Sequence, residues 1–274
     1  MTYHFLVVDN TFKDIDRAVY NRVADALENE FGKDIIIEYR GMDEDGLCIT
    51  KDYFMIIAIG GDGTMLKVLN SLNGHDIPVI GINLGRVGFL AEIEPNNIEN
   101  AIHEIAIGNH HIKKHNYLEG YVNDAPISAC AVNDIIIGKS NFLTTVQLEL
   151  IIDDVSVNTY ICDGINISSA IGSTAYNKAL GGPVIYPESP VISITPISTN
   201  DNLFKSLIIP DTSRIEVKIH RVGGVNDYCA IGFDGRNEIC LDEGDSIHIK
   251  KSEKKYSILH LNDYDYYAVL KKKK

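Results

Sequence analysis

The chain has 274 residues, 45% of them apolar and 23% charged, and a formal net charge of -13; that is ample apolar content for one large domain or two modest ones. An acidic excess repels polyanions, so nucleic acid and anionic membrane are not expected as partners. No stretch approaches the roughly 18 consecutive apolar residues of a membrane span, and the start, MTYHFLVV, lacks a basic leader followed by a long apolar segment, so a cytoplasmic protein is the expectation.

The first hundred residues alternate strand and helix patterns. Phe5 to Val8 is a short apolar run, after which Ile15, Ala18, Val19, Val23, Ala26 and Leu27 recur three or four apart, on one helical face. Ile35 to Ile37, the run Tyr53 to Ile59, a helix predicted over Met65 to Leu72, the run Ile77 to Ile82 and a helix after Pro95 follow. Strands alternating with helices imply parallel pairing in an α/β layer.

From about His110 to Leu261 short β-branched runs take over: Ile135 to Ile137, Val146 to Ile152, Val155 to Ile161, Val191 to Ile197, Ile215 to Ile219 and Ile247 to Ile249. Asp153-Asp154 reads as a hairpin turn between two of them, and Ser173 to Leu180 as one helical interruption. This half reads as a mainly antiparallel β-domain, with a change of architecture near residues 108 to 112. Cys48, Cys130, Cys162, Cys229 and Cys240 form no CxxC pair and are expected to be reduced core thiols. His110, His111 and His115 lack the HExxH glutamate and are expected at the surface or the junction rather than on a metal. Lys271 to Lys274 read as a solvated, frayed end, and Asp263 to Tyr267 as a terminal helix packing back on the first domain.

The chemistry gathers at IGGDGT, residues 59 to 64, directly after a buried strand. In open α/β sheets ligands collect where strand carboxyl ends meet the following loops. Glycines there let the backbone approach a ligand closely. Thr64 is placed to cap the next helix, whose free N-H groups would face the same spot. Gly60, Gly61 and Gly63 with Thr64 thus make a phosphate cradle. Walker A spacing is absent, and a dinucleotide GxGxxG would need glycine where Leu66 stands. The bland alternative is a tight turn in which Asp62 bonds local backbone.

The Gly60 to Thr64 motif resembles the GGDGT signature shared by NAD kinases, diacylglycerol and sphingosine kinases and phosphofructokinases, which transfer a phosphoryl group to an alcohol. Asp163 to Pro183, reading DGINISSAIGSTAYNKALGGP, resembles the DG-x-GSTAY-x-GGP block of NAD kinases. Gly88-Phe89-Leu90, Asn133-Asp134, and Phe233-Asp234-Gly235 with Gly244-Asp245 agree in order. The resemblance covers residues 53 to 270, about, and identifies a member of the NAD kinase family.

That resemblance implies a Rossmann-like α/β domain, 1–108, completed by 259–274, and a β-sandwich-like NAD-binding domain, 109–258, with the active site in the cleft between them. It implies transfer of the terminal phosphoryl group of ATP, or polyphosphate in some members, to the 2′-hydroxyl of the adenosine ribose of NAD, giving NADP. Asp62 is then the catalytic carboxylate, and Lys67 adds positive charge near the phosphate, although an exposed helix lysine is the plainer reading. Mg²⁺ would arrive bound to ATP. Asn133 and Asp134 match the family's nucleotide-binding pair, an acceptor carboxylate beside an amide suiting ribose hydroxyls and an exocyclic amine. Asp163 would accept from the nicotinamide-side ribose or carboxamide. Thr174, Ala175, Tyr176, Asn177 and Ala179 would line the adenine and ribose pocket, with Phe89 a core residue first and an adenine contact second. A homodimer or homotetramer is implied.

Departures are equally specific. Ser169-Ala170 replaces the family's Thr-Pro, Thr199-Asn200-Asp201-Asn202 replaces a Pro-His-Ser-Leu stretch, Ile161 stands where bacterial members often carry arginine, and Ala179 where serine is common. The rival readings are a lipid or sugar kinase sharing only the GGDGT loop, and a non-catalytic dinucleotide-binding protein.

Overall fold

The computed structural model describes residues 2–42, 47–85, 88–199, 205–224 and 227–273, so Asn200 to Asn202 among the departures above lie outside the described residues. The chain divides into two compact units, Met1–His115 with Lys255–Lys274, and Asn116–Lys254. In chain order the elements are β1 (His4–Asp9), α1 (Ala18–Phe31), β2 (Ile36–Gly41), β3 (Met55–Gly60), α2 (Asp62–Asn70), β4 (Pro78–Asn83) and α3 (Ile98–Ala106). They continue with β5 (His110–Val122), β6 (Ala125–Ala131), β7 (Asp134–Lys139), β8 (Val146–Ile152), β9 (Val155–Cys162), β10 (Gly164–Ser169) and α4 (Tyr176–Ala179). Then come β11 (Val191–Ile197), β12 (Leu207–Pro210), β13 (Ile215–Val222), β14 (Cys229–Phe233), β15 (Arg236–Leu241), β16 (Ser246–Leu261) and α5 (Tyr266–Lys272).

In the first unit the strand order is β2-β1-β3-β4-β16, every neighbouring pair parallel. β3 is buried at all six positions, so its sequence is continuously apolar rather than alternating. α3 places Ile98, Ala101, Ile102 and Ile105 at helical spacing into the same core as Val23, Ala26 and Leu27 of α1. Ile15 does not join them and is 80% exposed. The cause is Asp14, whose carboxylate accepts from the N-H groups of Val19 and Tyr20 at 3.1 and 2.9 Å and so starts the helix after Ile15.

α2 also begins earlier than its pattern predicts, at Asp62 rather than Met65, with Gly61 as the N-cap and no side-chain cap bond. Thr64 therefore lies inside the first turn, buried, and does not cap the helix.

The second unit is built from two antiparallel sheets. One includes β9-β8-β13 with the first half of β16, together with the β5-β6 hairpin, and the other runs β12-β11-β10-β7-β14-β15. Ile135, Ile137, Ile165, Ile167 and Ile231 of the second sheet and Leu148, Leu150, Val217 and Ile247 of the first share one apolar core. The two-residue period of a strand then sends Asp134, Asn166, Ser168, Ser193 and Thr195 to the opposite face of the second sheet, where the register sets Ser168 beside both Asp134 and Ser193 and Asn166 beside Thr195. All five are buried.

Asp153 and Asp154 take φ of 48° and 67°, the left-handed pair of a two-residue hairpin, and Asn123-Asp124 repeats it between β5 and β6. The helical interruption is a 3₁₀ turn, Ile171–Thr174, followed by the four-residue α4. Only Cys162 and Cys229 are buried thiols, each pushed up to about 12 by burial, whereas Cys48 and Cys240 are exposed, against the expectation that all are core residues. His111 faces Asn262 at 3.3 Å and His115 stacks on Tyr256.

Candidate active site

The carboxyl ends of four parallel strands in the first unit open onto one cavity of about 900 Å³. β1 leads to Asn10 and Lys13, β2 to Met42, β3 to Gly61, Asp62, Gly63 and Thr64, and β4 to Asn83, Gly85 and Gly88, while α5 contributes Lys272 and, just past its end, Lys273. This is where a parallel sheet places ligands, because the loops of adjacent strands converge there.

Asp62 is held from the side of the loop after β4. Its Oδ2 accepts from the N-H of Phe89 at 2.8 Å, and its Oδ1 from Leu90 and Ala91 at 2.9 and 3.2 Å. A carboxylate offers about four lone-pair sites, so three backbone donors leave one, on Oδ2. Facing that oxygen is Lys273, its Nζ 3.6 Å away and 4.3 Å from the centre of the Phe89 ring. The carboxylate grips a segment 27 to 29 residues distant, so it is not the locally bonded turn acid of the bland reading. Gly88 makes the approach possible, since a Cβ there would stand 2.0 Å from Asp62 Oδ1.

Lys67 points elsewhere. Its ammonium donates to the Met42 carbonyl, and it does not line the cavity. Among the described residues the lysines that do are Lys13, Lys272 and Lys273; α5 is helical to Lys272, so that part of the terminal run is ordered helix rather than a frayed end, although Lys271 and Lys272 are exposed. Lys13 Nζ lies over Gly61 and Gly85, 3.7 and 3.6 Å from where their Cβ atoms would be. Phe89 is half-buried and packs near Tyr266, ring centres 5.8 Å apart.

In the second unit a second carboxylate does what Asp62 does in the first. Asp234 accepts from the N-H groups of Val132, Asn133 and Asp134 at 2.8, 2.8 and 3.1 Å. Beside it, burial and then the charge of Asp234 push the Asp134 carboxyl up to about 7. Asn166 is close enough to offset part of that rise, although neither its amide N nor its O reaches hydrogen-bonding geometry with any described residue. Asp134 therefore holds a proton more readily than an ordinary carboxyl, because burial and the neighbouring Asp234 charge both disfavour its ionised form.

The carbonyl of Asn133 accepts from the Ser169 N-H at 2.8 Å and abuts Gly172, where a Cβ would stand 2.1 Å from the oxygen. Ser169 Oγ donates to the Val132 carbonyl at 2.7 Å and accepts from Gly172 N-H at 3.0 Å, so Ser169, in place of threonine, still ties the two segments. Asn177 is fully buried, its Nδ2 donating to the carbonyls of Ser173 and Pro183 and its Oδ1 accepting from Thr195 and Ser193. It pins the 173–183 segment onto the polar face of the sheet. Thr174 and Ala175 are half-buried, whereas Tyr176 and Ala179 are exposed. Asp163, in the bend between β9 and β10, pairs with Lys139 at 2.6 Å.

The halves of this arrangement have separate counterparts among known proteins. Residues 16–109 match the family model of the ATP-NAD kinase N-terminal domain, and residues 107–261 that of the ATP-NAD kinase C-terminal domain. The chain belongs to the NAD kinase family. It is 33% identical over 267 residues to the NAD kinase of Caldicellulosiruptor saccharolyticus, covering 97% of both chains, and 32% identical over 220 residues to that of Sulfurimonas denitrificans, covering 80% of this chain and 76% of the relative. Among solved structures it superposes on an NAD kinase from Archaeoglobus fulgidus in complex with ATP, with a TM-score of 0.79, 24% identity and 98% of each chain covered. A yeast NADH kinase complexed with NADH gives a TM-score of 0.82 at 22% identity, covering 98% of this chain and 86% of that one. Both likenesses are of fold.

For this NAD kinase family member, sequence reasoning missed the cavity residues Asn10, Lys13, Asn83, Lys272 and Lys273, and the clasp made by Asp234. Lysines carry no spacing signal of their own. The one available clue to Asp234 is its setting in Phe233-Asp234-Gly235, where φ of 50° and 70° at Asp234 and Gly235 turn the carboxylate back toward β7.

Proposed function

We propose that this protein transfers the terminal phosphoryl group of ATP to the 2′-hydroxyl of the adenosine ribose of NAD. The bond from the ribose oxygen to the γ-phosphorus forms, the bond from that phosphorus to the bridging oxygen breaks, ADP leaves, and the hydroxyl proton passes to Asp62. The observation that carries the reaction is the Asp62 carboxylate, fixed by three backbone donors with one lone pair left toward the cavity. The substrate rests on the NAD kinases that the chain resembles over nearly its whole length.

In this reading Gly60, Gly61, Gly63 and Thr64 present backbone to the phosphates, and Mg²⁺, carried in on ATP, would neutralise part of their charge. Asn133 and Asp134 receive ribose hydroxyls or the adenine amine, and Asp134, its carboxyl raised by burial and by Asp234, accepts when ionised and donates when protonated. Thr174, Ala175, Tyr176 and Ala179 border the nucleotide, Asn177 acts by holding their segment, and Phe89 offers a ring face. Asp163 takes the nicotinamide end. Residues 109–258 act as the NAD-binding domain. A cytoplasmic homodimer or homotetramer is part of the proposal, tested by light scattering on the purified protein.

The deciding assay supplies MgATP and NAD and follows the product with a strictly NADP-dependent dehydrogenase. NADPH should accumulate in proportion to enzyme. Absence of signal together with phosphorylation of a sphingoid base or fructose 6-phosphate would move the protein to another branch of the GGDGT kinases. A thermal shift with NAD and no 2′-phosphate under any donor would make it a binding module.

A further inference from the structure

Among the described residues four lysines stand near the glycine loop, and their surroundings separate them. Lys67 is committed to the Met42 carbonyl. Lys272 lines the cavity but its ammonium lies 3.4 Å from Glu94, an exposed pair. Lys13 and Lys273 remain. Lys13 sits in the turn leaving β1, which is fixed by its own N-H donating to the Asn10 carbonyl at 2.8 Å, and its ammonium covers the side-chain-free faces of Gly61 and Gly85 on the two neighbouring loops. Lys273 rests on the Phe89 ring, 3.6 Å from the Asp62 carboxylate, a loose pair rather than a hydrogen bond.

An ammonium is a compact, rotatable charge with three donors, and a phosphate chain carries more negative charge than the single, already solvated carboxylate of Asp62. In a chain of net charge -13 a polyanion meets general repulsion and needs local positive charge to enter. The first unit supplies it where the first residues of α2, Asp62 to Thr64, line the cavity and a helix N-terminus favours negative charge.

We infer that Lys13 and Lys273 are the side chains that bind the ionised phosphate chain of the phosphoryl donor, Lys13 from above the glycine loop and Lys273 by leaving its loose pairing with Asp62. Release of Lys273 also opens the remaining lone pair of Asp62 to the acceptor hydroxyl. This inference rests on the kinase reading above and assigns the cations that Lys67 does not supply.

The test compares Lys13→Ala and Lys273→Ala with Lys33→Ala, an equal loss of charge at an exposed position between α1 and β2, away from the cavity lining. Calorimetric titration with ATP and with inorganic tripolyphosphate reads the shared phosphate chemistry with and without a nucleoside. Each cavity variant should weaken binding of both by about ten-fold or more, the worth of one charge-assisted hydrogen bond, with KM for ATP rising in step and NAD affinity and thermal midpoint unmoved. Lys33→Ala should leave all of these unchanged. The inference is overturned if both cavity variants bind ATP within two-fold of wild type, if Lys33→Ala loses as much, if NAD affinity falls equally, or if tripolyphosphate neither binds the wild type nor discriminates the variants. If the wild type forms NADP while the variants are indifferent, this inference fails alone; if the wild type forms none, the kinase reading fails first.

Discussion

Asp62 and Asp234 perform the same mechanical task in the two units and have opposite surroundings. Each carboxylate collects three successive backbone N-H groups from a distant segment, 89–91 in one case and 132–134 in the other. Asp62 opens onto a cavity with lysines at its rim. Asp234 lies beside the buried carboxyl of Asp134, which it helps to push up to about 7. Two acids beside a glycine thus make the same backbone clasp, and the environment around each clasp decides whether the acid meets a ligand or adjusts a neighbour.

The largest effect that tests this contrast is on turnover. Asp62→Asn should lower kcat by about 10²–10⁴-fold, the range for loss of a general base. It should also cost roughly 1–3 kcal/mol of stability, because an amide NH₂ would oppose backbone donors. Asp234→Asn should incur the same stability loss while kcat stays within about ten-fold and KM for NAD rises. Steady-state kinetics and urea denaturation read both, and equal loss of kcat in the two variants would erase the distinction.

A methyl group probes the same pair of clasps. At Gly88 a Cβ meets the Asp62 carboxylate, and at Gly172 it meets the backbone of Asn133, 2.1 Å from O and 2.6 Å from Cα. Backbone yields less than a side chain, so Gly172→Ala should destabilise by about 1–3 kcal/mol or more and raise KM for NAD, whereas Gly88→Ala should act chiefly on kcat. Parallel kinetics on the two variants would show whether the sites are separable.

The buried carboxyl of the second clasp is tested by its pH dependence. The folded-state Asp134 carboxyl is raised from 3.8 to about 7, so its contribution is fully present below about pH 4 and declines as pH rises to 7. Relative to Asp134→Asn, the wild type should lose up to about 1.4 kcal/mol of stability per pH unit across that window. Denaturation of both proteins at pH 5 and pH 7 measures the difference, and parallel curves would show that Asp134 is not held neutral. Least of all, Lys139→Ala, removing a partly exposed partner of Asp163, should change stability by less than about 1 kcal/mol, read by thermal melting.

Much of the molecule was legible where one residue property sufficed. The uninterrupted apolar run of β3 shows a strand buried on both faces, and Asp153-Asp154 shows its hairpin. β5 was not legible as a strand, since HHIKKHN has no apolar alternation and only its pairing with β6 and β16 holds it extended. The start of α2 was misplaced because Thr64 is a good capping residue in isolation, whereas in the fold it is buried within the first helical turn. Ile15 fits the helical period and lies outside the helix, because Asp14 takes the first N-H groups.

Sequence alone determined that a parallel α/β unit carries a glycine-flanked acid at a strand end and that a second, antiparallel unit follows, because periodicity and local spacing are properties of neighbouring residues. Only the tertiary structure decided which acid grips which loop, that Lys13 and Lys273 rather than Lys67 line the cavity, and that Asp134 is driven toward neutrality. Those outcomes depend on groups far apart in the chain, such as Asp62 and Lys273, meeting in space and on how much water is excluded around them, and neither distance nor dielectric is written in the order of the residues.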